Sequence, residues 1–324
     1  MLYKLQKNWI FEWAVLLLMI VAPCNTNIKE IKMTQITLKP ILVAEAETAH
    51  RVVLTGASPR MILGAMVEDR AALELFEVKG QTARPLTNIE LLLPSRPDFD
   101  LMTTDQEEEL IIAYEDHGGA LSEVCVQPFD SKELLKLPAH IALVNEHRPR
   151  FVRGGGTAIV ISENDEQAVY IEVGDTPRRI ELCTCLDAIA IQTTNGLAVV
   201  EKTIRSGAGV ANIPPGGLTL NWPWESKEEL PNILFKGKNV FDYDAVAAND
   251  SIFIAAVTEK GLEVVMVTPQ KTEQSILVTG LPDGLEAFSP ALSVSDKALS
   301  IATLAKSRLP LEAPSSLFYG VHQW

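Results

Sequence analysis

The sequence predicts an all-β chain folded as a single β-propeller, and three observations carry that expectation. One hairpin unit recurs along the chain. Its spacing holds near 47 residues on both flanks, the length of a propeller blade. No segment sustains the 3.6-residue apolar period of a helix; the best candidate is Ser131–Leu137, one or two turns at most. A β-solenoid or a two-sheet sandwich is the structural alternative.

The unit is a strand of apolar residues, a polar turn, and a second strand. Its copies are Met61–Val67 with Leu73–Val78, Glu109–Tyr114 with Ala120–Val126, Thr157–Ser162 with Ala168–Val173, Ala188–Gln192 with Leu197–Lys202, Ser251–Val257 with Leu262–Val267, and Ala298–Leu304 with Ser316–Val321. The turns are rich in Gly, Asn, Asp and Glu, as hairpin turns require. First strands are almost continuously apolar and read as buried on both faces. Second strands alternate and read as half-exposed. A shorter strand precedes several hairpins, as at Phe99–Leu101, Arg150–Val152, Tyr243–Val246 and Pro290–Val294. Three or four strands per unit make a propeller blade.

The first-strand midpoints are separated by roughly 48, 48, 30, 64 and 47 residues, so the fourth copy is displaced within an otherwise regular repeat. Residues 203–242 break the rhythm. Leu218–Trp222 and Ile233–Phe235 read there as one more hairpin. The ring then has six blades plus an insertion, or seven compact blades, with seven the closer fit. Trp222 and Trp224, in a Pro/Gly-rich loop, are candidate exposed binding aromatics; the other reading has them plugging the core beside an irregular blade.

Residues 33–324 form the expected propeller domain and residues 1–32 a separate segment. Lys4 and Lys7 precede the apolar run Trp13–Pro23, the pattern of an export signal and too short to span a bilayer. The run ends in Val21-Ala22-Pro23-Cys24, which resembles a lipoprotein signal with Cys24 as the lipidated residue, although Pro23 stands where a small residue is expected. An exported protein, periplasmic, lipid-anchored or secreted, is the favoured reading. Translation starting at Met33 makes the protein cytoplasmic instead.

The formal net charge of −14 argues against nucleic acid and anionic lipid, leaving an N-terminal anchor as the one membrane contact. Cys125, Cys183 and Cys185 are too few for a disulfide framework, and Cys183-Thr184-Cys185 needs two further ligands to hold zinc, so it reads as packed thiols. No metal site and no cofactor is expected. Gly154-Gly155-Gly156 lacks the Lys and helix of a phosphate loop and reads as a turn. The five His are scattered, with no ligand spacing. No nucleophile-elbow, zincin, Walker or EF-hand motif occurs.

Carboxylates on the inner strands or their loops are the chemical candidates: Asp98, Asp100, Glu115, Asp116, Asp242 and Asp244. Two of them across a channel could serve as an acid and base pair. The solvated-turn reading competes with that one.

The stretches Arg148-Pro149-Arg150-Phe151, Ser289-Pro290-Ala291-Leu292 and Ser58-Pro59-Arg60-Met61 each open a strand–turn–strand unit. In that layout the repeat resembles the sialidase-like, or BNR-type, propellers. The likeness covers about four repeats at the level of strand pattern. The family's Asp-box is absent, and its nearest piece, Ser293–Lys297, lacks the Gly and Trp. The resemblance implies an Arg triad, a Tyr nucleophile and an acidic Asp, for which Arg60, Arg148, Arg150, Arg153, Tyr243 and Asp244 are of the right types.

A clear repeat without a catalytic constellation points to a non-catalytic binding or scaffold propeller with a protein or carbohydrate ligand. The alternative is a glycan-acting hydrolase of sialidase-like type, with its active site at the central channel.

Overall fold

A computed structural model of the chain describes residues 35–56, 59–93, 96–103, 110–117, 121–129, 145–156, 158–173, 178–203, 216–224, 231–248, 250–295, 297–309 and 313–324. The apolar segment with Cys24, the Ser131–Leu137 helix candidate, Ser58 and His140 lie outside these residues. Among the described residues, 24 strands form six sheets, and the only helical turns are two short 3-10 segments, Ala44–Glu47 and Glu68–Arg70. The protein is a six-bladed β-propeller.

Two short N-terminal strands, β1 (Gln35–Thr37) and β2 (Lys39–Ile41), belong to the last two blades. Blade one is β3 (Ala49–Thr55), β4 (Arg60–Val67), β5 (Ala72–Lys79) and β6 (Thr82–Glu90). Blade two shows β7 (Phe99–Thr103), β8 (Leu110–His117) and β9 (Ser122–Pro128). Blade three is β10 (Glu146–Phe151), β11 (Ala158–Glu163), β12 (Gln167–Glu172) and β13 (Arg178–Cys183). Blade four is β14 (Asp187–Thr193), β15 (Gly196–Lys202), β16 (Leu218–Asn221) and β17 (Asn232–Leu234). Blade five is β18 (Val240–Ala248), β19 (Ser251–Thr258), β20 (Gly261–Val267) and β21 (Glu273–Thr279), and blade six is β22 (Leu285–Ser295), β23 (Ala298–Ser307) and β24 (Ser316–Gln323).

The first strand of each blade is innermost: β10 packs against β7, β14 against β10 and β18, and β22 against β18 and β3. The second strands β11 and β19 are buried at every position, because blades cover both of their faces. Apolar clusters fill the wedges between blades. Ile112, Phe99 and Leu75 sit between blades one and two, and Ile189, Val200 and Ile254 between blades four and five.

The ring is closed by the N-terminus. β2 runs antiparallel to β24 as the outer strand of blade six, while β1 lies parallel to β21 at the edge of blade five. Gly280, at φ +93°, lets this segment pass, since a Cβ there would stand 2.1 Å from the Leu38 carbonyl oxygen. Strands 244 residues apart in sequence are thereby held together through Gln35 and Thr279.

The lean to seven blades is corrected by blade four. Leu218–Asn221 and Asn232–Leu234 are not a blade of their own; they are its two outer strands. The displaced fourth copy has the same origin. Ala188–Gln192 lies in β14, an innermost strand, whereas the other copies begin with the second strand of their blade. Both kinds of strand are buried and apolar, so period alone does not separate them.

Candidate functional site at the channel mouth

The site is built on irregularities in the innermost strands. Arg148-Pro149 and Ser289-Pro290 each occupy a β-bulge, in β10 between His147 and Arg150 and in β22 between Phe288 and Ala291. Arg148 and Ser289 hold left-handed backbones, with φ 51° and 48°. A bulge tolerates Pro because the ladder is already interrupted there. It also frees the preceding N–H to turn toward the neighbouring blade. Arg148 N donates to Glu115 Oε1 at 2.6 Å, and Ser289 N to Asp242 Oδ2 at 3.0 Å. The third sequence match differs, because Arg60 opens β4, a second strand, and pairs with Glu77 away from the axis.

Three residues beyond each bulge onset a second contact repeats. Phe151 N donates to Asp100 Oδ2 at 2.8 Å, and Leu292 N donates to Asp244 Oδ2 at 2.7 Å. The other oxygen of each carboxylate accepts the next residue's N–H, from Leu101 and Ala245, both at 2.9 Å. One buried Asp thus stitches blade two to blade three, and another stitches blade five to blade six.

Blade three sends arginines onto this frame. Arg150 lies 3.2 Å from Asp98 and 3.9 Å from Asp187. Arg153 lies 3.2 Å from Asp100 and 3.5 Å from Asp244. Arg51, from blade one, lies 2.5 Å from Asp98. This ionic plug blocks the channel in place of the apolar side chains that usually fill a core. Burial would lower the Arg150 guanidinium, but Asp98, Asp187, Asp100 and Asp242 hold it well above its ordinary value. Burial pushes the Asp98 carboxyl up, yet Arg150 and Arg51 bring it down to about 2. Asp187 and Asp244 are raised, because burial outweighs Arg150 for one and Arg153 for the other.

Above the plug lies a mouth of about 370 Å³, lined by His50, Arg51, Asp98, Glu115, His147, Arg148, Asp165, Asp242 and Ser289 among others. Arg148 pairs with Asp165 and also donates to the Leu186 carbonyl at 3.0 Å. Glu115 is raised by burial and by the adjacent Asp98. Two imidazoles flank it, His117 at 3.7 Å and His147 at 3.8 Å. Burial lowers His50, so the ring is neutral. Its Nε2 meets the Pro97 carbonyl at 2.9 Å, which places the hydrogen on Nε2 and makes Nδ1 an acceptor. That Nδ1 and the Nε–H of Arg51 have no partner among the described residues. A second cavity, about 510 Å³, opens at the other end of the channel beside Arg153, Gly154, Gly155 and Gly156, with walls of mixed polarity.

The sequence-predicted residues divide clearly. Arg148, Arg150, Arg153, Asp98, Asp100, Glu115, Asp242 and Asp244 converge on the axis, and Asp116 caps a loop by accepting the Leu92 N–H at 2.9 Å. Arg60 and Tyr243 do not converge. Strand alternation turns Tyr243 into the wedge between blades, where it is 2% exposed and donates to the Val200 carbonyl. The expected exposure of the two indoles is also corrected. Trp222 is 6% exposed and donates to Thr193 Oγ1 at 3.0 Å, and Trp224 packs on the cluster between blades three and four. Hydrophobic burial of the rings decides this placement. Asp187, Arg51 and His50 join the site although no motif marks them. No group of His, Cys, Asp and Glu among the described residues has the geometry to hold a metal ion.

No family model and no curated protein matches the sequence. Solved structures do. A protein of unknown function from Dyadobacter fermentans is 11% identical, with a TM-score of 0.60 over 89% of this chain and 98% of its own. The β-propeller domain of the trilobed protease from Pyrococcus furiosus is 9% identical, with a TM-score of 0.45 over 85% of this chain and 83% of its own. The α-L-arabinofuranosidase from Podospora anserina is 8% identical, with a TM-score of 0.42 over 90% and 97%. At such identity the first likeness speaks to fold alone.

Proposed function

We propose that this propeller is a non-catalytic binding module that takes a small polyhydroxylated ligand, a mono- or disaccharide, at the charged mouth of its channel. The observation that carries the reading is an acceptor at the mouth, His50 Nδ1, that no donor among the described residues meets. In the plug the guanidinium groups of Arg150 and Arg153 pair with carboxylates, and the polar atoms without a partner there among the described residues are the donors Arg150 Nε–H and Arg153 Nε–H. At the mouth an acceptor, His50 Nδ1, also lacks a partner among the described residues, near the Nε–H of Arg51, whose guanidinium otherwise pairs with Asp98. A hydroxyl both donates and accepts, so it is the group that satisfies such a pair. A volume of about 370 Å³ suits one or two sugar rings. Saturation-transfer NMR with a panel of neutral mono- and disaccharides tests this. Binding that is lost in Asp242→Asn and His50→Ala supports the reading, and silence across the panel overturns it. Export through Trp13–Pro23 is part of the proposal, and a mature N-terminus at Met33, read by mass spectrometry of protein from its own host, contradicts it.

One observation favours a second reading, the glycan hydrolase. Asp98 and Glu115 share the mouth with their acidities driven apart, one down to about 2 and the other raised. Such divergence is how a base and an acid are assigned to two carboxylates. Turnover of aryl glycosides that disappears in Glu115→Gln replaces the binding reading with this one.

A further inference from the structure

Cys183 closes β13, the outer strand of blade three, and Cys185 sits in the turn that leads to β14, the innermost strand of blade four. A regular strand would keep the two thiols side by side. Here the chain bends over residues 184–186, and the two Sγ atoms come within 2.7 Å. That is well inside the roughly 3.5–4 Å of ordinary nonbonded contact and approaches the ~2.05 Å of a disulfide. Cys185 is buried at 1% exposure, while Cys183 is only partly covered. The Cys183 thiol also hydrogen-bonds the Glu201 carboxylate, which Asn221 Nδ2 holds at 2.7 Å. The pair therefore has one partly covered cysteine, one buried cysteine and a nearby carboxylate.

We propose that Cys183 and Cys185 form a redox-active dithiol that closes to an intramolecular disulfide by exchange with a small-molecule disulfide. Cys183, having lost its proton, attacks one sulfur of the oxidant RSSR, and the oxidant's S–S bond breaks to release RS⁻. Cys185 Sγ then attacks Cys183 Sγ, the mixed disulfide breaks, and a second RS⁻ leaves. The two thiol protons end on the two released thiols, so the cysteines are oxidised by two electrons and RSSR is reduced to two RSH. The adjacent Cys185 thiol and burial push the Cys183 thiol far up, with Glu201 adding to them. Exchange is accordingly slow at neutral pH and selective for the neighbouring sulfur once the mixed disulfide has formed.

The dithiol adjoins the mouth without belonging to it. The Leu186 carbonyl, next in sequence, accepts from Arg148 Nη1 at 3.0 Å and from Ser162 Oγ at 2.8 Å, and Asp187 follows as a partner of Arg150. Closing the ring fixes the turn that presents both groups. The inference stands independently of the ligand assigned to the mouth.

The test uses the full chain carrying Cys24→Ser and Cys125→Ser, with wild type in parallel. Each is incubated with oxidised glutathione and then with dithiothreitol. The expected result is loss of both remaining thiols in the variant, and of two of four in wild type, with a mass decrease of about 2 Da. Peptide mapping then shows a closed loop over residues 183–185, and dithiothreitol restores the thiols. Persistence of both thiols, a stable glutathione adduct on Cys183, or a disulfide between two chains overturns the proposal. Cys183→Ser in the same background is expected to lose the 2 Da decrease, and retention of it also refutes the assignment.

Discussion

The junction of blades two and three and the junction of blades five and six are built on one plan and carry different chemistry. Asp98 and Asp100 answer to Asp242 and Asp244, and the bulge at Arg148-Pro149 answers to the bulge at Ser289-Pro290. The backbone contacts match. The side chains at equivalent positions do not: Arg148, Arg150 and Arg153 stand on one side, and Ser289, Ala291 and Val294 on the other. Three blades apart, these two junctions face each other across the axis. Small residues on blade six leave the space that the arginines of blade three occupy, and aspartates from both halves neutralise them. The difference teaches that the repeated backbone supplies a frame, while breaking its symmetry makes the plug and shapes the mouth.

Removing the charge on one side should break the comparison most. Arg150→Met leaves Asp98 and Asp187 without their buried partner and is expected to cost about 3–5 kcal/mol in denaturant unfolding. The equivalent change on the quiet side, Ala291→Gly, should cost about 0.5–1 kcal/mol. Equal losses at the two positions would show that the arginine plug is not the asymmetric element.

The next effect concerns the two stitching aspartates. Each accepts two backbone N–H groups and faces Arg153. Loss of a hydrogen-bonded charge costs about 1.5–3 kcal/mol. Asp100 lies 3.2 Å from Arg153 and Asp244 lies 3.5 Å from it, so Asp100→Asn should destabilise more than Asp244→Asn. Combination with Arg153→Met should be non-additive in both cases, as expected for groups in contact. The opposite ranking would mean that the two junctions do not divide the charge of Arg153 in this way.

A smaller loss, about 1 kcal/mol, is expected for Ser289→Ala, because Ser289 Oγ accepts the buried Val52 N–H at 3.0 Å and carries the linkage on to blade one. Thermal unfolding should show this with the mouth otherwise intact.

The mildest expectation is a change in pH dependence. Glu115 is raised in the folded state, so its contribution to stability is full below pH 4.5 and declines as pH rises through its folded value. Asp98 works in the other direction. Its contribution is full above pH 3.8 and is lost as pH falls toward about 2. Glu115→Gln should flatten the decline on the upper side by less than the ~1.4 kcal/mol per pH unit that one whole proton sets, and leave the acid limb in place. An unchanged upper limb in urea titrations from pH 4 to 8 would remove Glu115 from the account.

Much of this arrangement was legible in the residues. Turn chemistry and strand alternation mark the hairpins, and the acidic pairs flanking Phe99 and Tyr243 stand out as inner-strand carboxylates. The resemblance groups Tyr243 with Asp244, whereas neighbouring residues on a strand face opposite sides and the fold puts Tyr243 in the wedge. The Arg-Pro and Ser-Pro stretches were visible as repeated features, but their work as bulges was not, since a bulge is defined by the partner strand. Blade four misled the count because its innermost strand is as apolar as the second strands elsewhere. Trp222 misled because a Pro/Gly-rich context reads as surface, whereas its indole fills the wedge behind Thr193.

By itself, then, the sequence determined an all-β chain of repeated hairpins, the apolar strands that fill its wedges, and an excess of carboxylates near the inner strands, because these follow from local periodicity and turn chemistry. The tertiary structure alone decided that six blades close through β2 on β24, and that Arg150 and Arg153 meet their aspartates at the axis. The reason is distance along the chain. Arg153 finds Asp100 and Asp244 at separations of 53 and 91 residues, and no local pattern records a partner that only ring closure brings near.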